Sequence, residues 1–418
     1  MEGQQPPEQP PEGVHRLSLR SAAAAFFSLL AFGATGLVAG PGAGHAVAAT
    51  PTAGCVLPRT DAHHSLGLDT WNAAYPKPVR DLKAVMVFLS FPDSRPRVSP
   101  ADLVADYFPD TSRFFQQASY GRFSLRPYVR GDWLRMPRPS TAYAIRRDWS
   151  PDRRAAYLRD ALRVADPRVD FSRYDIVYLV ADPDAPGVDS DATKVVNLRT
   201  PLRADGTDIR RVVTLFERHP PDRNVLAHET GHVFDLPDLY RRPLDGKGDW
   251  DTHVGDWDVM GSQFALAPDL FGWHKWKLGW LDEEQVHCVR GPGRFTLEPL
   301  SALPERGVSV GRRLAVVRTG EHTVLAIEAR GATGNDRDTC TEGVLIYRVS
   351  GKAASGAGPV EVVDTHPLTA ACGDRSVYPP LADAPLGVGE TFTVPGEGTR
   401  IEVADRTSTG AWTVEVTP

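Results

Sequence analysis

Between residues 80 and 290 the apolar positions keep two rhythms. Nearly continuous runs bounded by turn residues, AVMVFLSFPD (84–93), YDIVYLVAD (174–182) and RVVTLFE (211–217), predict strands buried on both faces. PDRRAAYLRDALRVAD instead spaces Ala155, Leu158, Ala161, Leu162 and Ala165 at helical intervals, which predicts an amphipathic helix. DTSRFFQQASYG offers Asp110 or Thr111 as an N-cap and Gly121 as a stop. After about residue 291 the texture changes. RRLAVVRTG, HTVLAIEAR, GVLIYRVS, PVEVVD, TFTVPG and TRIEVAD are short strand-like runs between Gly, Pro and Asp. Residues 49–80 keep neither rhythm and read as a loop segment. The pattern predicts an α+β fold: a mixed part over 81–290, then a β-rich region over 291–418 that carries no catalytic constellation.

Composition changes this picture at one end only. Charged residues make up 24% and apolar residues 41% of 418 residues, ordinary globular values, and a net charge of −6 offers no basic footprint for nucleic acid. Residues 1–20 are Pro/Gln/Glu-rich and close on Arg16 and Arg20. An uncharged Ala/Phe/Leu/Gly run follows to about Gly40, then the small-x-small site Ala46-Val47-Ala48. That order reads as a secretory signal peptide over 1–48, cleaved after Ala48, which implies a secreted protein with no membrane partner after cleavage. The four cysteines, Cys55, Cys288, Cys340 and Cys372, all follow the signal and form no Cys-x-x-Cys pair, so two disulfides are expected. Sequence alone does not choose among the three possible connectivities; Cys340–Cys372 with Cys55–Cys288 is the expectation carried forward. The alternative for Cys55 is a thiolate that caps a metal in a latent form.

Candidate chemistry concentrates in VLAHETGHVFDLPDLY (225–240). On a helix His228 and His232 lie one turn apart on one face, so both imidazoles reach a single ion. Glu229 is then placed to act on water rather than to ligate. Pro237 ends the helix, and a sharp bend at Asp235 would return Asp238 toward the ion as third ligand; aspartate is among the few residues that tolerate a left-handed bend. Asp235 itself is a competing ligand candidate. Downstream, Met260 in the turn of GDWDVMGSQ is a candidate apolar floor under the metal.

HETGHVFDLPDLY, then DWDVMGS, then FGWHKWKLGWLD, resemble the immune inhibitor A family of secreted bacterial metallopeptidases, over roughly residues 80–285. VFLSFPD and SYGRFSL resemble the family's first strand and helix-end segment. The resemblance implies a metzincin-like zinc endopeptidase acting on protein or peptide substrates. It implies zinc on His228, His232 and Asp238, Glu229 as general base, and Met260 beneath the metal. Asp235 departs from the family's turn glycine, and Ser262 stands where some metzincins place a tyrosine donor. The oxyanion stabiliser is therefore open, with Tyr240 and His253 as candidates. The competing class is a non-catalytic secreted binding module with a structural zinc.

Other features read as ordinary. The Asp-rich stretches 182–191 and 245–258 supply the oxygen ligands that calcium takes, making Ca²⁺ a secondary cofactor candidate. Neither has helix–loop–helix spacing, and solvated loops are expected. Trp273, Trp276 and Trp280 fit a packing stripe on a helix that Gly279 ends. His63 and His64 are expected to be solvated loop residues. Oligomeric state is not legible.

Overall fold

The computed structural model describes residues 52–222, 224–243, 247–264, 266, 268–303 and 311–418. The expected signal peptide and its cleavage site lie outside the described residues, as do Asp245 and Gly246 of the second Asp-rich stretch. No helix among the described residues is long and apolar enough to cross a membrane.

The architecture is α+β, built on three sheets. In chain order the first part comprises β1 (Asp81–Ser90), α1 (Pro100–Tyr107), α2 (Asp110–Ala118), β2 (Ser124–Arg135), α3 (Ser140–Tyr143), α4 (Pro151–Ala165), β3 (Ile176–Ala181), β4 (Lys194–Ala204), β5 (Thr207–Leu215), α5 (Val225–Val233) and α6 (Gly272–Lys277). The first sheet runs β2-β1-β3-β5-β4, with β4 antiparallel on one edge and the other pairings parallel. Strand β1 explains its own unbroken apolar run. Its side chains alternate between two cores, Leu82, Ala84, Met86 and Phe88 into one and Val85, Val87 and Leu89 into the other. The second core is closed by α4 through Tyr157, Leu158, Ala161 and Leu162, as the helical spacing predicts. The first core takes α2 and α5.

Strands β6 (Val286–Val289), β7 (Gly293–Leu297), β8 (Leu314–Arg318), β9 (Thr323–Arg330), β10 (Gly343–Ser350), β11 (Val360–Val362), β12 (Thr391–Thr393), β13 (Arg400–Arg406) and β14 (Trp412–Thr417) form a β11-β10-β9-β8-β6 sheet and a β12-β13-β14-β7 sheet. These two sheets pack as a sandwich through Val317, Leu325, Ile327 and Ile346 on one side and Ile401, Val403, Val414 and Val416 on the other. The opposite face of the first sandwich sheet (Val316, Ala326, Leu345, Tyr347) belongs to the same core as α5 and Met260. The boundary expected near residue 290 thus falls between two sandwich strands, and Ala49–Pro418 is one compact unit. Helix α2 starts at Asp110 with Pro109 at the cap position, so Asp110 and Thr111 are inside the helix rather than capping it.

Residues 52–80 carry no helix or strand, as expected, but they are not a loose leader. A disulfide joins Cys55 to Cys288 on β6, and a second joins Cys340 to Cys372; no described cysteine is free. With its sulfur in a disulfide, Cys55 is not a thiolate available to a metal. The tryptophan stripe grips this segment. Trp273 Nε1 donates to Leu66 O (3.0 Å), Trp280 Nε1 donates to Pro78 O (2.7 Å), and Lys277 Nζ donates to Ser65 O (2.8 Å). Trp273 and Trp280 are fully buried, and Gly279 takes the left-handed turn (φ 79°) that ends the helix.

Candidate metal centre

All nine residues of α5 are buried, so its polar side chains need partners from the protein. His228 Nδ1 donates to Val259 O at 2.9 Å and His232 Nδ1 donates to Leu236 O at 2.8 Å. A carbonyl only accepts, so each bond places a proton on Nδ1 and turns Nε2 toward the other imidazole and Asp238. The two Nε2 atoms face each other 3.2 Å apart. Asp238 completes the group, with Oδ1 3.0 Å from His232 Nε2 and 3.5 Å from His228 Nε2. Two imidazole nitrogens and a carboxylate at such separations could hold a cation between them. Donors at about 2.0–2.1 Å from a tetrahedral ion stand roughly 3.3 Å apart, and this triangle has that size. Among the described residues it is the one such cluster of three His, Cys, Asp or Glu side chains.

The bend that returns Asp238 has a physical cause. Asp235 adopts φ 65°, and Leu236 N bonds back to Gly231 O at 3.2 Å, reversing the chain before Pro237. The carboxylate of Asp235 points away from the triangle. It accepts from Arg59 at 2.9 Å and from His64 Nδ1 at 2.9 Å, and Lys277 bonds its carbonyl oxygen. Although burial opposes it, the His64 bond and the nearby Lys277 and Arg59 charges hold the Asp235 carboxyl down at about 2. Asp235 is therefore not part of the triangle. Asp238 is held from the far end of the chain instead. Ser355 Oγ donates to its Oδ2 at 2.9 Å and accepts from its backbone N–H at 2.8 Å, and Gly356 N–H donates to its carbonyl at 3.0 Å.

Met260 lies where the turn motif suggests. It is fully buried and packs under α5 at Gly231, where an added Cβ would overlap the Met260 sulfur. The turn is fixed by Asp258, whose carboxylate accepts from Met260 N–H (2.7 Å), Phe271 N–H (2.6 Å) and His274 Nδ1 (2.9 Å). A buried ion network continues from it: Arg330 bonds Trp257 O, Glu328 and Asp336, which tie the turn to the sandwich.

Glu229 is 7% exposed, and its Oε2 has no hydrogen-bond partner. Burial pushes its carboxyl up, against the pull of His228 and His232. It opens, with the triangle, on a cleft of roughly 820 Å³ walled by Lys194 and Val195 of β4, Glu217, Trp250, Phe264 and His63. Tyr240 is in this cleft, its ring parallel to His228 (centroids 6.3 Å apart, 12° between planes), and burial with the nearby Asp238 charge pushes its hydroxyl pKa up. His253 is not in the cleft; it pairs with Glu361 at 3.6 Å.

Three expectations need correction or completion. His64 is not solvated: it is buried at φ 57°, bonded to Asp235 and stacked on His232. The β-rich region is not silent, because its β10–β11 loop supplies Ser355. In the Asp-rich stretches three carboxylates bond the chain itself. Asp182 accepts from Ser94 Oγ and Asp184 N–H, Asp191 pairs with Arg147, and Asp256 accepts from Ser376 Oγ and Val377 N–H.

No family model matches the sequence, and no curated protein matches it. Among solved structures, wild-type OgpA from Akkermansia muciniphila is similar in one crystal form with 10% identity over 71% of this chain and 95% of that one, TM-score 0.28. A second crystal form gives 9% identity over 71% and 94%, TM-score 0.26. Superposition at that level carries no argument about function.

Proposed function

We propose that this chain is a secreted zinc-dependent endopeptidase with a metzincin-like catalytic part. The observation that carries the proposal is the pairing of a closed three-donor face, His228, His232 and Asp238, with a buried carboxylate oxygen, Glu229 Oε2, that has no partner. A purely structural metal site has no use for a base beside it. Zinc bound there would act as a Lewis acid and lower the pKa of a coordinated water to about 7.

The chain's own residues would do the rest. Glu229 takes the proton of the attacking water and delivers it to the leaving amine, one carboxylate serving as base and then acid. Its setting suits that exchange, because burial disfavours the charged carboxylate while His228, His232 and the Val195 N–H favour it. Ser355 and the Asp235 bend hold Asp238 toward the histidines. Tyr240, whose ring lines the cleft beside His228, is the proposed donor to the developing oxyanion.

Casein or gelatin cleavage by protein beginning at Ala49, beside Glu229→Gln at matched zinc content, tests the proposal. Cleavage lost in a variant that still binds zinc supports it. Stoichiometric zinc with no cleavage by either protein would favour the structural-zinc alternative.

A further inference from the structure

Asp235 stands where the resembling family has glycine, in a left-handed conformation that glycine adopts freely and aspartate adopts under strain. It is fully buried, and three groups converge on it. His64 Nδ1 donates to Oδ1 at 2.9 Å, Arg59 donates to Oδ2 at 2.9 Å, and Lys277 Nζ stands 3.4 Å from Oδ2. His64 is itself left-handed and buried, so two strained residues meet at one bond. The ring so fixed lies over His232, with centroids 5.7 Å apart and planes 23° from parallel. The hydrogen bond fixing His232 is that of Nδ1 to Leu236 O. Pivoting about that bond would swing Nε2 away from His228 and Asp238, and the stacked ring blocks the pivot on one face.

We propose that His64, held by Asp235, is a positioning residue for His232, and that residues 55–67 belong to the metal-binding unit. This rests on the metal site proposed above. The segment has the anchors that such a role requires: the Cys55–Cys288 disulfide at one end, and Ser65 and Leu66 carbonyls held by Lys277 and Trp273 at the other. Asp235 sits midway between the second and third donors, so one carboxylate governs both. It shapes the bend that returns Asp238, and through His64 it fixes the ring of His232.

Three variants separate positioning from packing. His64→Ala removes ring and bond, His64→Phe keeps a flat ring but cannot bond Asp235, and Asp235→Gly removes the carboxylate while relieving the backbone. For each, the zinc dissociation constant is measured by chelator competition, the visible bands of the cobalt-substituted protein are recorded, and the metal-free melting temperature is taken. His64→Ala should weaken zinc binding by about 10–100-fold, the range for groups that orient metal ligands, and should shift the cobalt bands. His64→Phe should fall between it and the native protein, and Asp235→Gly should lose about tenfold despite its relaxed turn. Should His64→Ala fail to fold, His64→Phe decides, because it preserves the packing. Native zinc affinity and cobalt bands in His64→Phe and Asp235→Gly, with only the melting temperature moved, would overturn the proposal. A native protein that binds neither metal would overturn the metal reading itself, which is a different result.

Discussion

Gly231→Ala tests whether Met260 is a fitted floor or an incidental neighbour. Two effects oppose each other. Replacing a helix-interior glycine by alanine should stabilise by about 1 kcal/mol through propensity alone. The new Cβ, however, would overlap Met260 Sδ and stand 3.1 Å from Met260 Cε and 3.6 Å from Leu236 Cδ1. Met260 is fully buried, so its sulfur has no solvent to retreat into, and overpacking of that kind costs about 1–3 kcal/mol. The net expectation is destabilisation by about 1 kcal/mol, with weaker zinc binding because Gly231 lies on the helix turn that carries both histidines. Met260→Ala alone should cost about 2–5 kcal/mol through its cavity. In the double variant the added methyl enters vacated space, so the costs should fall short of additive by about 2 kcal/mol. Urea denaturation of the four metal-free proteins measures the cycle without contributions from bound zinc. A Gly231→Ala protein stabilised by the full propensity gain, or an additive cycle, would refute the packing argument.

Three further outcomes follow from the geometry. Ser355→Ala leaves Asp238 without its brace and should weaken zinc binding by about tenfold in chelator competition; unchanged affinity would make the serine dispensable. Tyr240→Phe should lower kcat by about a hundredfold with zinc content unchanged, and an unaltered kcat would remove Tyr240 from the chemistry. Glu217 is pushed up to about 7, chiefly by burial, with Asp222, Glu229 and Asp191 adding to it against a Thr193 hydrogen bond. Its folded pKa is raised, so its contribution to stability is complete below about pH 4.5 and is lost as pH rises through 7. Glu217→Gln should therefore flatten the decline in urea midpoint between pH 5 and 8, by about 1 kcal/mol once screening at this half-buried site is allowed for. Equal slopes for variant and native protein would contradict the assignment.

The elements legible in the sequence are those whose burial is regular. Strand β1 is buried on both faces and announces itself as an apolar run, and α4 buries one stripe at helical spacing. The edge strands β2 and β4 escape notice because they are half exposed. Arg126, Arg130, Asp132 and Arg135 interrupt β2, and its solvent edge has no need of apolar side chains. The same contrast holds at the site. His228, Glu229, His232 and Asp238 lie within eleven residues and obey helix and turn geometry, so local rules bring them together. Arg59, His64 and Ser355 reach them from segments with no local signature, and nothing in the FGWHKWKLGWLD stretch marks Lys277 as a partner of Asp235. The one clue was Asp235 itself, since a buried aspartate in place of a turn glycine requires cationic or donor partners from elsewhere.

That dispersal has a consequence for the order in which the molecule becomes competent. Ser355 follows Asp238 by 117 positions, and His64 precedes Asp235 by 171. A growing chain therefore carries its histidine helix long before the serine that steadies the third donor has been synthesised. Contacts this distant in sequence raise the contact order and slow folding. The third donor gains its serine only once the β10–β11 loop exists, so a half-made chain holds the motif without the complete site.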